Sequence, residues 1–153
     1  MRKKRSHEQK YTESKDEVVT FLDSLFYALD SDNAKIELIQ DRNVDKGRID
    51  KYTNRYTLLC LFPDEDPVEA IKQELSTLSI GEYIETVKDL RYEKRSPLRV
   101  FCKKYSGEDV YIKLRVELLK MLISGNDNYI LVLSFHYAEK SFSDDDFPYG
   151  AKR

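Results

Sequence analysis

The run from Val110 to Leu118 constrains the fold more than any other part of the chain. Val110, Ile112, Leu114, Val116 and Leu118 alternate with Tyr111, Lys113, Arg115 and Glu117, and a period of two makes one apolar and one polar face only on an extended strand. A single apolar face is the habit of an antiparallel sheet. The preceding run, Leu98 to Lys104, alternates as well, with Val100 and Cys102 opposite in phase to Arg99, Phe101 and Lys103. A three-residue loop Tyr105-Ser106-Gly107, with Gly107 left-handed, pairs Lys104 with Glu108, Cys102 with Val110 and Val100 with Ile112. That register sets Arg99 opposite Lys113 and Phe101 opposite Tyr111, so the spacing predicts a hairpin whose outer face is cationic and aromatic.

Other elements follow from caps and periods. Ser14 and Glu17 form a capping-box pair, and Val18, Phe21, Leu22, Leu25, Phe26 and Leu29 recur at helical spacing, which predicts a helix over 14–30. Asp66, Pro67 and Glu69 start another over about 67–77. Asn54 to Leu61 reads as a short helix, Ala34 to Gln40 as a short strand, and the polar stretch Asp41 to Tyr52 as a loop. Tyr129 to Tyr137 is apolar on both faces except at Ser134 and His136, as a central strand should be, after a turn at Gly125-Asn126-Asp127-Asn128. Residues 1–10 have no apolar side chain after Met1 and read as a mobile basic arm. Ser141 to Asp146 reads as an exposed acidic loop, and Phe147-Pro148-Tyr149 as an aromatic clasp on the sheet. The expectation is one α+β domain over 11–153, with three or four antiparallel strands packed by N-terminal helices.

The length of 153 residues suits one domain. No apolar run approaches the ~18–20 residues of a membrane span, and the basic start has no apolar stretch behind it, so neither membrane insertion nor secretion is expected. Two cysteines, Cys60 and Cys102, make no disulfide framework, and a cytoplasmic location is expected. The net charge of -2 hides blocks: residues 11–87 hold 8 basic and 17 acidic groups, whereas residues 88–115 hold 9 and 4. The basic stretch can face a polyanion, with the acidic half turned away as a docking surface for a basic partner.

Cations, aromatics and a histidine on one sheet face fit the cleavage of RNA by its own 2′-hydroxyl. A base takes the 2′-OH proton, cations stabilise the phosphorane, an acid protonates the leaving 5′-oxygen, and no metal or other cofactor is needed. His136 titrates in the useful range, and nearby Lys113 and Arg99 would favour the Tyr111 phenolate. Candidate catalytic residues are Tyr111, His136, Lys113 and Arg99; Lys103, Arg115, Tyr83, Phe101, Arg91 and Arg95 are candidates for binding RNA. The plainer alternative stays open: strand cations often serve solvation and edge protection, and a lone histidine is often structural. The carboxylate runs near 64–66 and 144–146 lack histidines, and no Gly-rich phosphate loop or G-x-S-x-G elbow occurs.

The run Leu75-Ser76-Thr77-Leu78-Ser79-Ile80-Gly81-Glu82-Tyr83 precedes Val100-Phe101-Cys102-Lys103. Then follow Asp109-Val110-Tyr111-Ile112-Lys113-Leu114, Leu133-Ser134-Phe135-His136-Tyr137-Ala138-Glu139 and Phe147-Pro148-Tyr149. In this order the segments resemble the MqsR family of bacterial toxins, loosely over 54–149 and more firmly over 75–139. The resemblance implies a RelE-like fold, cleavage of mRNA without a metal, and neutralisation by an antitoxin encoded by a neighbouring gene. It places Tyr111 on the family's catalytic tyrosine and His136 where the best-known branch has a lysine. That branch has a further lysine where this chain has Ile84, and a glutamine before the first hairpin strand, where this chain offers Ser96, Leu98 or Arg99. Lys88, Arg91, Arg95 and Arg99 are the candidates for those roles; their loss would leave a non-catalytic protein- or nucleic-acid-binding module.

Overall fold

A computed structural model of the chain describes residues 7–31, 34–118 and 128–150. The period-two run forms its central strand, numbered β5 in chain order (Glu108–Glu117): Val110, Ile112, Leu114 and Val116 are buried, and Tyr111, Lys113 and Arg115 stand on the reverse face. Its antiparallel neighbours are β4 (Leu98–Tyr105) and β6 (Tyr129–Tyr137). β3 (Tyr83–Asp89) joins β4 and β1 (Glu8–Tyr11) joins β3, both antiparallel, while β2 (Lys35–Leu38) runs parallel to β6. The fold is α+β, with a mixed six-stranded sheet in the order β1-β3-β4-β5-β6-β2.

The sheet is larger than the three or four antiparallel strands expected. Residues 8–10, assigned from composition to a mobile arm, belong to edge strand β1; residues 1–6 and the Gly125–Asp127 part of the expected turn lie outside the described residues. An edge strand is held by backbone bonds and exposed along its length, so it needs no apolar period to announce it. β3 contains a pairing irregularity between Tyr83 and Glu85, which breaks the alternation that would have revealed it.

The helices form where their caps are. In α1 (Lys15–Asp30) the Ser14 hydroxyl accepts the Glu17 N–H at 3.2 Å, and the Glu17 carboxylate accepts the Ser14 N–H at 3.1 Å. α2 (Asn54–Leu61) is capped by Thr53, and α3 (Pro67–Leu75) by Asp66, which accepts the Glu69 N–H at 3.1 Å. Val18, Leu22 and Leu25 of α1, Leu58 of α2 and Ile71 and Leu75 of α3 share one apolar cluster with Phe101, Ile112, Leu114 and Phe135 of the sheet. Among the described residues no helix is long and apolar enough to cross a membrane.

The β4–β5 hairpin corrects the expected register by one residue. Ser106 and Gly107 have φ of 51° and 84°, the paired left-handed conformations of a two-residue primed turn, which suits the twist of the flanking strands. Tyr105 therefore pairs with Glu108, Cys102 with Tyr111, Phe101 with Ile112 and Arg99 with Leu114. Alternation misled here because β4 is buried on both sides: Val100, Phe101 and Cys102 are all inaccessible, so their order does not tell which face is inner. Phe101 faces the helices, and Arg99 and Lys103 go with it.

β6 carries a second irregularity. Lys113 pairs with Ser134 but Leu114 with Val132, so Leu133 is an extra residue, a bulge. The buried Asn54 side chain satisfies the backbone groups left there. Its Nδ2 donates to the Leu133 carbonyl at 2.9 Å and the Ile39 carbonyl at 2.6 Å, and its Oδ1 accepts the Phe135 N–H at 3.0 Å. The C-terminal clasp forms as expected: the Tyr149 ring stacks on Tyr83 at 6.1 Å, and its hydroxyl donates to the Glu13 carbonyl. Replacing Asn54 with Ala strands three backbone groups and should cost about 3 kcal/mol in urea unfolding; a loss below about 1 kcal/mol would show that the bulge is satisfied by other means.

Candidate functional site

Tyr111 and Lys113 leave β5 on the face away from the helices, and β6 sets His136 opposite Tyr111 and Ser134 opposite Lys113. The Tyr111 and His136 rings stack at 5.4 Å with 24° between their planes. The polar segment between β2 and α2 brings Arg42 and Arg48 onto this face on either side of a tight helical turn, Asn43–Gly47, before a second turn, Asp50–Tyr52, packs Tyr52 on the core. Asp45 fastens the first turn, accepting the Arg42 N–H at 2.9 Å and standing 3.6 Å from the Arg48 guanidinium. Arg42 Nη1 donates to Ser134 Oγ at 3.1 Å, and Arg48 Nε lies 3.4 Å from Glu139.

The segment after β6 returns along the opposite rim. The Ala138 N–H donates to the Asp109 carbonyl at 2.9 Å and the Phe142 N–H to the Asp109 carboxylate at 3.0 Å. The Phe142 ring covers the second face of Tyr111 at 6.4 Å. Between loop, sheet and returning segment lies a cavity of about 710 Å³, lined by Arg42, Arg48, Tyr111, Lys113, Ser134 and His136, with Lys10 and Lys140 also reaching it. Glu139 and Asp146 line it as well, but the five cations outnumber the two acids, and the excess makes this partly buried space a candidate anion site.

Burial decides the protonation states. It lowers the His136 pKa below the ordinary imidazole value; the Tyr137 carbonyl opposes this, and Arg48 and Arg42 add to it. His136 Nδ1 lies 2.9 Å from that carbonyl, which can only accept, so Nδ1 carries the proton and Nε2 of the neutral ring keeps its lone pair. Tyr111 is pushed up to about 12, first by burial and then by Glu85, with Arg42 and Arg48 pulling against them. The expected phenolate is thereby corrected: desolvation outweighs the neighbouring cations, and Tyr111 is a neutral donor. Burial also pulls the Lys113 ammonium down, which makes it a stronger acid than a lysine in water.

Other candidates lie elsewhere. Arg99 points to the helix side and forks onto Glu13 at 2.7 and 3.0 Å, its guanidinium stacked on Phe21. Lys103 is bound to Glu82 at 3.1 Å, while Phe101 and Tyr83 are core residues. Arg115 shares the cavity's face beyond Lys113, and Arg91 and Arg95 sit on the β3–β4 loop. The cavity thus unites Tyr111, His136 and Lys113, and takes Arg42 and Arg48 in place of Arg99 and Lys103. Those two arginines sit in a stretch without periodicity; the only trace of order there is Asp45 with an arginine three residues to either side.

Among the described residues no three His, Cys, Asp or Glu side chains gather as metal ligands would. Comparison with protein-family models, curated proteins and solved structures finds no match to the chain.

The lowered pKa of His136 fixes the sign of a pH effect. Above about pH 6.5 the ring is neutral both folded and unfolded; as pH falls through that value the unfolded chain takes up a proton that the folded chain refuses down to its own lower pKa. Stability therefore drops across this window and then levels off on this account. Urea unfolding from about pH 7.5 to about pH 5 should show a smaller loss for His136→Gln than for the parent; equal losses would return the ring to its ordinary pKa.

Proposed function

We propose that the chain is a metal-independent endoribonuclease that cleaves mRNA through the RNA's own 2′-hydroxyl. The observation that carries this reading is the convergence of a neutral, tautomerically fixed His136, a protonated Tyr111 and Lys113 with Arg42 and Arg48 on one cavity. His136 Nε2 takes the 2′-OH proton as the 2′-oxygen attacks phosphorus. The P–O5′ bond breaks, Tyr111 gives its proton to the departing 5′-oxygen, and the products are a 2′,3′-cyclic phosphate and a 5′-hydroxyl. Lys113, Arg42 and Arg48 bear the charge that gathers on the phosphorane. At neutral pH these shifts leave His136 free to accept a proton and Tyr111 holding the one it would give, the protonation states the step requires.

The MqsR resemblance extends the reading to a cytoplasmic toxin held in check by an antitoxin from a neighbouring gene. Four consecutive antiparallel strands, β3 to β6, with helices packed behind them support this reading, and β1 and β2 extend the sheet at its edges. A second reading, a non-catalytic binding module, draws on the Phe142 ring that covers Tyr111.

One experiment separates them. Incubated with a single-stranded oligoribonucleotide, the purified protein should leave 5′-hydroxyl and 2′,3′-cyclic phosphate ends, with kcat/KM rising with pH through the lowered pKa of His136. His136→Ala and Tyr111→Phe should each lower kcat/KM about a hundredfold or more while RNA binding persists. RNA bound but left intact by the parent protein would favour a nucleic-acid-binding module, and RNA neither bound nor cut would end the ribonuclease reading and leave only a protein-binding one.

A further inference from the structure

Residues 90–97 join β3 to β4 and carry Arg91, Tyr92, Lys94 and Arg95. A polar connection of this length is ordinarily mobile, but this one is fastened at three points. Lys88 Nζ donates to the carbonyls of Glu93 and Arg95, both at 2.6 Å. Asp89 accepts the Arg91 N–H at 3.0 Å and two of its guanidinium N–H groups at 3.1 Å. Ser96 donates its N–H and its hydroxyl to Glu117 at 2.8 and 2.9 Å. The fastened loop displays the half-exposed Tyr92 ring, with the Arg95 guanidinium 4.1 Å from its centre and that of Arg91 at 5.7 Å. The ring and the guanidiniums layered on it together offer an aromatic and guanidinium stacking surface to a base and positive charge to its phosphate.

The loop meets the end of β5, where Ser96 is bonded to Glu117, a residue in phase with Lys113 and Arg115. Arg95 and Arg115 both act electrostatically on Tyr129, which pairs with Glu117 at the end of β5. Arg115 follows Lys113 by two residues on the same face, about 7 Å further along the strand. Its Nε is buried with no hydrogen-bond partner, and the Glu117 carboxylate stands 3.9 Å away. Arg115 is thus held only loosely by its one carboxylate neighbour, and its charge stands next to a lysine that faces the cavity.

We propose that Tyr92, Arg95 and Arg115 form a track for single-stranded RNA that leads from the cavity along β5 to the β3–β4 loop. The track rests on the ribonuclease reading of the cavity and adds to it a substrate class, an unpaired strand several nucleotides long. It contributes affinity for long strands and no chemistry.

The test uses the full chain and two measurements. Fluorescence anisotropy gives the affinity for a 2′-O-methyl oligoribonucleotide, which cannot be cleaved by 2′-hydroxyl attack; steady-state kinetics compares a dinucleotide with a long oligonucleotide. Tyr92→Ala should weaken binding of the long strand about tenfold, and Tyr92→Phe should restore it. Arg95→Gln should lower the salt dependence of log K by about 0.7. Both Tyr92→Ala and Arg95→Gln should raise KM for the long substrate and leave its kcat, and all cleavage of the dinucleotide, unchanged. Unaltered long-strand affinity in both variants overturns the track, whether or not the parent cleaves. If the parent cuts neither substrate yet Tyr92→Ala still weakens binding, the cleavage reading falls and the track stands. A parent that binds no oligonucleotide overturns both.

Discussion

Asn54 holds the sheet at the one place where the β5–β6 ladder is interrupted, and the facing of Ser134 and His136 into the cavity depends on it. With Leu133 as an extra residue, Val132 and Phe135 both face the helices although they are an odd number of positions, three, apart. Without that bulge the alternation set by Val132 would bury Ser134 and His136 against the helices and push Phe135 into the cavity. The bulge leaves backbone groups unpaired in a buried place, and a single amide meets the Leu133 carbonyl and the Phe135 N–H at 2.9 and 3.0 Å while also donating to the Ile39 carbonyl past the end of β2 at 2.6 Å. An apolar side chain of the same size would fill the space and leave those groups stranded. Thr57, one turn further along the same helix, accepts the Tyr137 N–H at 3.0 Å and extends the seam.

What was legible in the sequence depended on where information is stored. The caps of α1 and α3 are local, and both helices begin where Ser14 and Asp66 predict. The alternation in β5 survived because one of its faces is apolar throughout. The register of its hairpin was missed because Val100, Phe101 and Cys102 satisfy either phase, and only the left-handed pair Ser106-Gly107 decides between them. Tyr111 and His136 were found by parity along their strands. Arg42 and Arg48 were not, since a loop held by Asp45 and Ser134 is placed by tertiary bonds that leave no period. The neutral state of Tyr111 was hidden for the same reason: burial dominates it, and the rings stacked on it come from distant parts of the chain.

Charge along the chain is a poor guide to charge on a face. The cavity takes Arg42 and Arg48, together with the influence of Glu85, from the stretch where acids outnumber bases two to one, 17 to 8. The basic stretch spends Arg99 and Lys103 on the other side of the sheet, against Glu13 and Glu82. At Glu13 burial alone would raise the carboxyl's pKa, but the bonds from Arg99 and Thr86 overcome it and hold it below the ordinary range. The carboxylate also closes a small ring of bonds, in which the Glu13 N–H donates to Tyr83, Tyr83 to Thr86 and Thr86 back to Glu13. A charge pair satisfied in this way inside the molecule is removed from the surface balance that a partner would meet.

The segment over the cavity is pinned at both ends. Ala138 and Phe142 are bonded to Asp109, and beyond them Tyr149 is stacked on Tyr83 and bonded to Glu13. Gly150 then passes so close to Gly81 that a β-carbon would come within 2.8 Å of its carbonyl oxygen. A span fixed at two points has already given up most of its loop entropy on folding. A ligand entering beneath it would have to displace one ring, Phe142, and would not have to order a free coil. The roof thus behaves as wall, and the cavity's shape is set by folding before any ligand arrives.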